Sequence, residues 1–78
     1  MAGGTYIERE ILHNLLRQQR DEAGLRQVDV AKKLGKPQSY ISKYETGEKN
    51  LDIIEIKEVC EVLGIKLSDF AKKLENKL

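Results

Sequence analysis

The chain has 78 residues, with 14 Lys/Arg against 13 Asp/Glu and one histidine, for a formal net charge of +1. That length is one domain's worth and buries only about 60% of its unfolded surface, so the fold has to be economical. A single cysteine excludes an intrachain disulfide framework. No run of roughly 20 apolar residues could cross a bilayer, and the first residues lack the apolar stretch of a signal peptide. The expectation is a cytoplasmic protein without membrane contact. The near-zero net charge is unevenly spread: residues 9–50 hold nine Lys/Arg and six Asp/Glu, whereas residues 51–78 hold five Lys and six acids. A basic face is therefore expected on the first half.

Residues 1–4 include two glycines and little to bury; they are expected to be a disordered tail, with 5–78 forming a single domain. Thr5-Tyr6-Ile7-Glu8 has the form of a capping box, Thr at the N-cap and Glu three residues on. The spacing predicts a first helix to about residue 23, with Ile7, Ile11, Leu12, Leu15, Leu16 and Gln19 as its buried stripe. His13 falls on its surface side, Gly24 stops it, and Leu25 docks as the chain turns.

The stretch 27–46 carries the strongest pattern. Val28, Val30, Ala31 and Leu34 are apolar at helical spacing, Gly35 suits a helix-ending turn, and Pro37 restricts Lys36 to extended geometry. Arg26 stands at the N-cap of this second helix, where Ser, Thr or Asp is preferred; lack of a side-chain cap costs about 1 kcal/mol. A phosphate beside the free helix amides could bind both them and Arg26. A third helix follows over about 37–46, pinned by Ile41 and Tyr44. Its other side carries Gln38, Ser39, Ser42 and Lys43, uncharged hydrogen-bonding groups and one cation. Those groups suit base edges in a DNA major groove: Gln pairs with adenine N6/N7, Lys reaches guanine O6/N7, and Ser serves either.

After Gly47, Asp52 and Glu55 form a second capping box for a fourth helix ending at Gly64. Ile53, Ile56, Val59, Cys60 and Leu63 cover one face of it, and Glu55, Glu58 and Glu61 lie outside that face. Ile65 and Leu67 bridge to a last helix over 68–77, capped by Ser68, with Phe70, Leu74 and Leu78 as its stripe. No β pattern occurs, so the fold class is an all-α bundle of five helices.

With these residues in register, about 15–70 resembles the phage-repressor-like (Cro/repressor, Xre-type) helix-turn-helix family. Gln27 opens the second helix, Ala31 stands at the helix crossing, Gly35 sits in the turn, and Tyr44-Glu45 precede Gly47. The resemblance implies a five-helix lambda-repressor-like DNA-binding domain. The implied function is then sequence-specific regulation of transcription, as a repressor or an activator with a repressor expected, on double-stranded DNA. It implies that Gln38, Ser39 and Lys43 face bases and that Gln27, with Arg26 beside it, holds phosphate; Lys36 and Ser42 are further phosphate candidates. It also implies an ion pair between Arg20 and Glu45, and a homodimer, for which Ile54, Val62, Leu74 and Leu78 are the interface candidates. The chain departs from the family pattern at Lys36, usually apolar, at Arg26, often Ser/Thr, and at Leu51, often Pro. Its first helix also begins earlier than the minimal domain needs.

A second class of function is a protein-interaction module, an adaptor, coactivator or antitoxin, in which the same bundle meets a protein partner. An enzyme is disfavoured because no nucleophile–base–orienter set and no Gly-rich phosphate loop occur. Cys60 with His13 cannot assemble a zinc site, so no catalytic residue, metal or cofactor is expected.

Overall fold

The computed structural model describes residues 6–78. The expected tail at 1–4 and the Thr5 cap lie outside them. Five helices follow in order: α1 (Tyr6–Glu22), α2 (Gln27–Leu34), α3 (Gln38–Thr46), α4 (Ile53–Leu63) and α5 (Leu67–Lys77). One core joins them, built from Leu15 and Leu16 of α1, Val30 and Ala31 of α2, and Ile41 and Tyr44 of α3. Ile56, Val59 and Cys60 of α4 and Phe70 of α5 complete it. Burial, with Glu61 nearby, pushes the Cys60 thiol up to about 11, so it stays protonated and acts as a small hydrophobe.

The helix ends follow local chemistry. At the end of α2, Gly35 is left-handed at φ 67°, and the Lys36 amide reaches back to the Ala31 carbonyl at 2.9 Å. This Schellman closure turns the chain sharply into α3. Ala31, 4% exposed, offers no bulk at the crossing, which lets α2 and α3 pack closely. Pro37 takes the N-cap of α3 rather than its first helical position, at φ −70° and ψ 156°. Asp52 caps α4 by accepting from the Glu55 amide at 2.8 Å, and Glu55 returns the bond to the Asp52 amide at 2.9 Å.

Several sequence expectations need correction. His13 is buried, at 7% exposure, because α1 turns that face toward the loop after α3. Ile7 is 66% exposed and Ile53 60% exposed: each lies in the first turn of its helix, beyond the reach of the packed elements. Val28, near the start of α2, is likewise at the exposed edge. Ser68 does not cap the last helix; Lys66 holds the N-cap position, and α5 starts one residue earlier, at Leu67. The early turns of α1 lie near α5: Leu12 packs on the core, and Leu12, Glu8 and Arg9 share a shallow depression with Leu74 of α5 and Leu78 just beyond it.

Gly47 closes α3 in the left-handed region at φ 87°, and a Cβ there would stand 3.3 Å from His13 Cδ2. Gly35 has a similar φ of 67° with nothing near its missing Cβ. Both alanine substitutions therefore carry the left-handed penalty of about 1–2 kcal/mol. Gly47→Ala should cost more than Gly35→Ala in urea unfolding, because it also crowds the imidazole. A double-mutant cycle with His13→Ala should recover that excess; equal losses for the two glycines, with no coupling to His13, would refute the close contact.

Candidate nucleic-acid interface

The site is assembled around a buried ion pair. Arg20 Nε donates to Glu45 Oε2 at 2.7 Å and Arg20 Nη2 donates to Glu45 Oε1 at 3.0 Å, a two-pronged contact that ties α1 to α3. The side chains are 11% and 3% exposed. Arg20 also donates to the Leu25 carbonyl at 2.9 Å, fixing the turn between α1 and α2. The hydrogen bond to Glu45 raises the Arg20 pKa above its ordinary value, against the opposing effect of burial.

Glu45 then reaches outward. Gln27, the first residue of α2, donates its Nε2 to Glu45 Oε1 at 3.0 Å. The Gln27 Oε1 accepts from Gln38 Nε2, the first residue of α3, at 2.9 Å. A continuous chain, Arg20–Glu45–Gln27–Gln38, thus runs from the core to the exposed start of α3. Ser39 and Lys43 are exposed on the same helix, and Ser42 is half-buried. The expected base-facing residues are therefore on the solvent side of α3, opposite Ile41 and Tyr44, and Gln27 is bonded to one of them.

Arg26 stands at the N-cap of α2 without a side-chain cap, since a guanidinium has only donors. Asp29 supplies what it lacks. Its Oδ2 accepts from the Arg26 amide at 2.8 Å, while the Arg26 Nε and Nη2 donate to Asp29 at 3.1 and 3.0 Å. The Arg26 guanidinium, then its backbone N–H, pulls the Asp29 carboxyl down to about 2. Asp29 was not singled out in the sequence, although an acid three residues after an N-cap is the signal for such a box.

Lys36 lies at the other end of α2, with its Nζ 5.3 Å from the centroid of the Tyr40 ring; Lys49 Nζ is 5.6 Å from the same ring. Tyr40 packs edge-on against Tyr44, 5.8 Å between centroids, and its hydroxyl donates to Glu55 Oε2 at 3.3 Å. Burial, with help from Glu55, raises the Tyr40 phenol above its usual value. Sequence reasoning missed Tyr40 and Lys49. Their meeting depends on the path of the loop after α3, which no local pattern encodes. The acidic side of α4, with Glu55, Glu58 and Glu61, faces Lys33 and Lys36 across a groove rather than extending the outer face of α3.

The helix-turn-helix family model matches residues 16–70. The chain belongs to the Xre-type helix-turn-helix family. Among solved structures, an XRE-family like protein from Pseudomonas syringae pv. tomato is 37% identical, with a TM-score of 0.84 over 91% of this chain and 87% of that one. The clp gene regulator ClgR of C. glutamicum is 25% identical with a TM-score of 0.80, covering 91% of this chain and 92% of that one. The restriction-modification controller protein C.AhdI of Aeromonas hydrophila is 26% identical with a TM-score of 0.75, covering 83% of this chain and 98% of that one. No curated protein matches.

In this Xre-type domain, of the four interface candidates, Ile54 and Leu78 are exposed, and Val62 and Leu74 are half-buried against the core. Ile54 is exposed in the first turn of α4. Val62 lines the groove with Lys33, Leu34, Lys36 and Tyr40, and Leu74 and Leu78 lie against Leu12 of α1. Among the described residues no helix is long and apolar enough to cross a membrane.

Two measurements test the electrostatics of the site. Removing one partner of a buried pair leaves the other unpaired, so Glu45→Ala should lose about 3–5 kcal/mol in urea unfolding. Glu61→Ala, which breaks the exposed pair with Lys57, should lose at most about 1 kcal/mol. The Asp29 carboxyl, followed by NMR, should titrate with a midpoint of about 2, and in Arg26→Ala it should move only part of the way back, because the backbone N–H still donates. A depressed carboxyl contributes stability that is fully present above its unfolded value and lost as pH falls through about 2.

Proposed function

We propose that this domain is a sequence-specific transcriptional repressor that reads double-stranded DNA in the major groove with α3. Membership of a family of DNA-binding regulators and the neighbour described as a gene regulator support the regulatory role. The observation that carries the reading is the outer face of α3. Gln38, Ser39 and Lys43 are exposed on one side of a helix whose other side is held by Ile41, Tyr44 and the buried Glu45. Bidentate amide–adenine pairing, lysine–guanine contact and a serine hydroxyl are then available together at a depth one helix can reach. Arg26, Gln27, Lys36 and Ser42 flank this face and hold the phosphate backbone. Asp29 occupies two of the Arg26 side-chain nitrogens, and the remaining N–H groups of the guanidinium are left for a phosphate oxygen. Repression follows from occupancy: a domain seated in the groove excludes other proteins from the same base pairs.

The reading extends to a cytoplasmic homodimer on a two-fold operator. Among the candidates Ile54, Val62, Leu74 and Leu78, the exposed Ile54, beside Ile53, is the apolar contact by which we test it. Half-sites should then lie about 10 base pairs apart, centre to centre. Ile54→Lys should weaken binding to the full palindrome and leave binding to an isolated half-site unchanged. A single unrepeated site in DNA selected from a random pool, with a monomer by sedimentation at high concentration, would remove the dimer from the proposal.

Readout and positioning should fail differently. Gln38→Ala should cost about 1–3 kcal/mol on the selected site, relax preference at one base pair, and leave binding to scrambled DNA unchanged. Arg26→Ala should weaken binding to all sequences alike and lower the salt slope by about one unit per half-site. Titration of both variants on selected and scrambled duplexes across a salt series decides the matter. Equal weakening of both DNAs by Gln38→Ala would mean that α3 is not the reader.

A further inference from the structure

We propose that the hollow between α1 and the end of α3 is a binding site for a free α-amino acid. Arg9 and His13 take the ligand carboxylate, and Glu10 and Glu48 take its ammonium. The hollow measures about 370 Å³ and is walled by one side of α1 and by the segment that ends α3 and leads away from it. A volume of that order suits a small molecule. The member that first points to a ligand is His13. It is 7% exposed, and its Nδ1 is sealed from solvent with no hydrogen-bond partner among the described residues. A neutral imidazole carries one hydrogen, on one nitrogen or the other, and the choice follows from the partners each can find. An orphaned buried N–H is a rarer defect than an under-used acceptor, so the hydrogen belongs on Nε2. Nε2 lies on the ring edge turned to Gly47, 3.6 Å from where a Cβ on that glycine would stand, and both residues line the hollow. The buried ring therefore directs a donor to this side, and only an acceptor can answer it.

The charges around it carry both signs. Arg9, Glu10 and Glu48 are exposed on the lining, and none of the three makes an ion pair among the described residues. Glu45, the other charged group of the lining, is already committed to Arg20 and Gln27. Helical residues four apart lie in one row. Arg9 and His13 make one such row and Glu10 and Asn14 the next. The first row offers donors to a carboxylate. The second offers a carboxylate and an amide oxygen to an ammonium, and Glu48 adds a second carboxylate from the loop. An α-amino acid carries its two charged groups on one carbon, close enough to meet adjacent rows. A lone anion would leave Glu10 and Glu48 without a partner, and a lone amine would leave Arg9 and the His13 N–H without one. Thr46 and Gly47 line the same hollow, so a bound ligand bridges α1 to the last turn of α3.

The test follows the backbone amides of Thr46, Gly47 and Glu48 by NMR while the common amino acids are added, first pooled and then singly. The methyl ester and the N-acetyl derivative of the tightest binder serve as probes of each charge. At least one amino acid should shift these amides saturably and raise the unfolding temperature as its concentration rises. The ester lacks the carboxylate and the N-acetyl derivative lacks the ammonium. Each should bind about 10- to 150-fold more weakly, the loss of one hydrogen bond between charged groups. Arg9→Ala should weaken the amino acid by a similar factor and the ester no further. Glu10→Gln combined with Glu48→Gln should weaken the amino acid and leave the N-acetyl derivative unaffected. His13→Phe keeps a ring against Gly47 and removes the N–H, so it should act as Arg9→Ala does. The other variants are at exposed positions and carry the test if His13→Phe fails to fold. The site is overturned if no amino acid shifts these amides saturably. An ester that binds as tightly as the amino acid overturns it in favour of an amine site, and an equally tight N-acetyl derivative in favour of an anion site. Unchanged affinity in Arg9→Ala and in the double glutamate variant places the ligand elsewhere and overturns it too. None of these readouts involves DNA, so reading by α3 stands or falls separately.

Discussion

The ion pair between Arg20 and Glu45 is the constraint on which the other parts of the site hang. Two charged groups this deeply placed are costly to desolvate, and the structure offsets that cost by leaving few of their hydrogen-bonding positions idle. Arg20 spends its donors on both carboxylate oxygens and on the Leu25 carbonyl, so α1, the turn after it and α3 are registered by one side chain. Glu45 accepts a third hydrogen bond, from Gln27. The start of α2 and the start of α3 are thereby referred to the same buried carboxylate. Apolar packing through Ile41 and Tyr44 seats α3 on the core, and hydrogen bonds tie its two ends to α1 and α2.

The electrostatic layout follows from a short chain with little surplus charge. Arg26, Lys36, Lys43 and Lys49 gather around α2, α3 and the loop between α3 and α4, while the glutamates of α4 are kept to its groove side. Tyr40 mediates between the two groups: its ring faces the Lys36 and Lys49 ammonium groups and its hydroxyl contacts Glu55. A weakly charged protein can present a locally basic surface in this way without a large overall field. His13 is the less economical feature. It is buried with its Nδ1 lacking a hydrogen-bond partner among the described residues, and its Cδ2 edge fills the space that Gly47 leaves open. A buried polar atom left unpaired costs about 1–3 kcal/mol, so shape rather than hydrogen bonding accounts for the ring's position.

Periodicity and capping chemistry made most of the fold legible in the sequence. Gly24, Gly35, Gly47 and Gly64 each end a helix with positive φ, and the Asp52–Glu55 box opens α4. Apolar spacing named nearly all of the core, and the register of Gln27, Ala31, Gly35, Ile41 and Gly47 gave the family. These signals are local: they depend on backbone geometry within a turn or two, which residue type and spacing dictate directly.

What the tertiary structure alone decided lies at helix ends and between elements. Periodicity assigns a face but not how far a neighbour covers it, so Ile7 and Ile53 share the phase of the core and still meet solvent. His13 is out of that phase and is buried by the loop after α3. Lys66 rather than Ser68 takes the N-cap of α5, because the packed Ile65 and Leu67 fix where the chain can begin to coil. The sequence by itself determined that Gln27 and Gln38 are polar residues at two helix starts. Only the crossing of α2 over α3 put one amide against the other with Glu45 beneath them. A hydrogen bond between residues 11 positions apart is set by that crossing, not by any repeat in the chain.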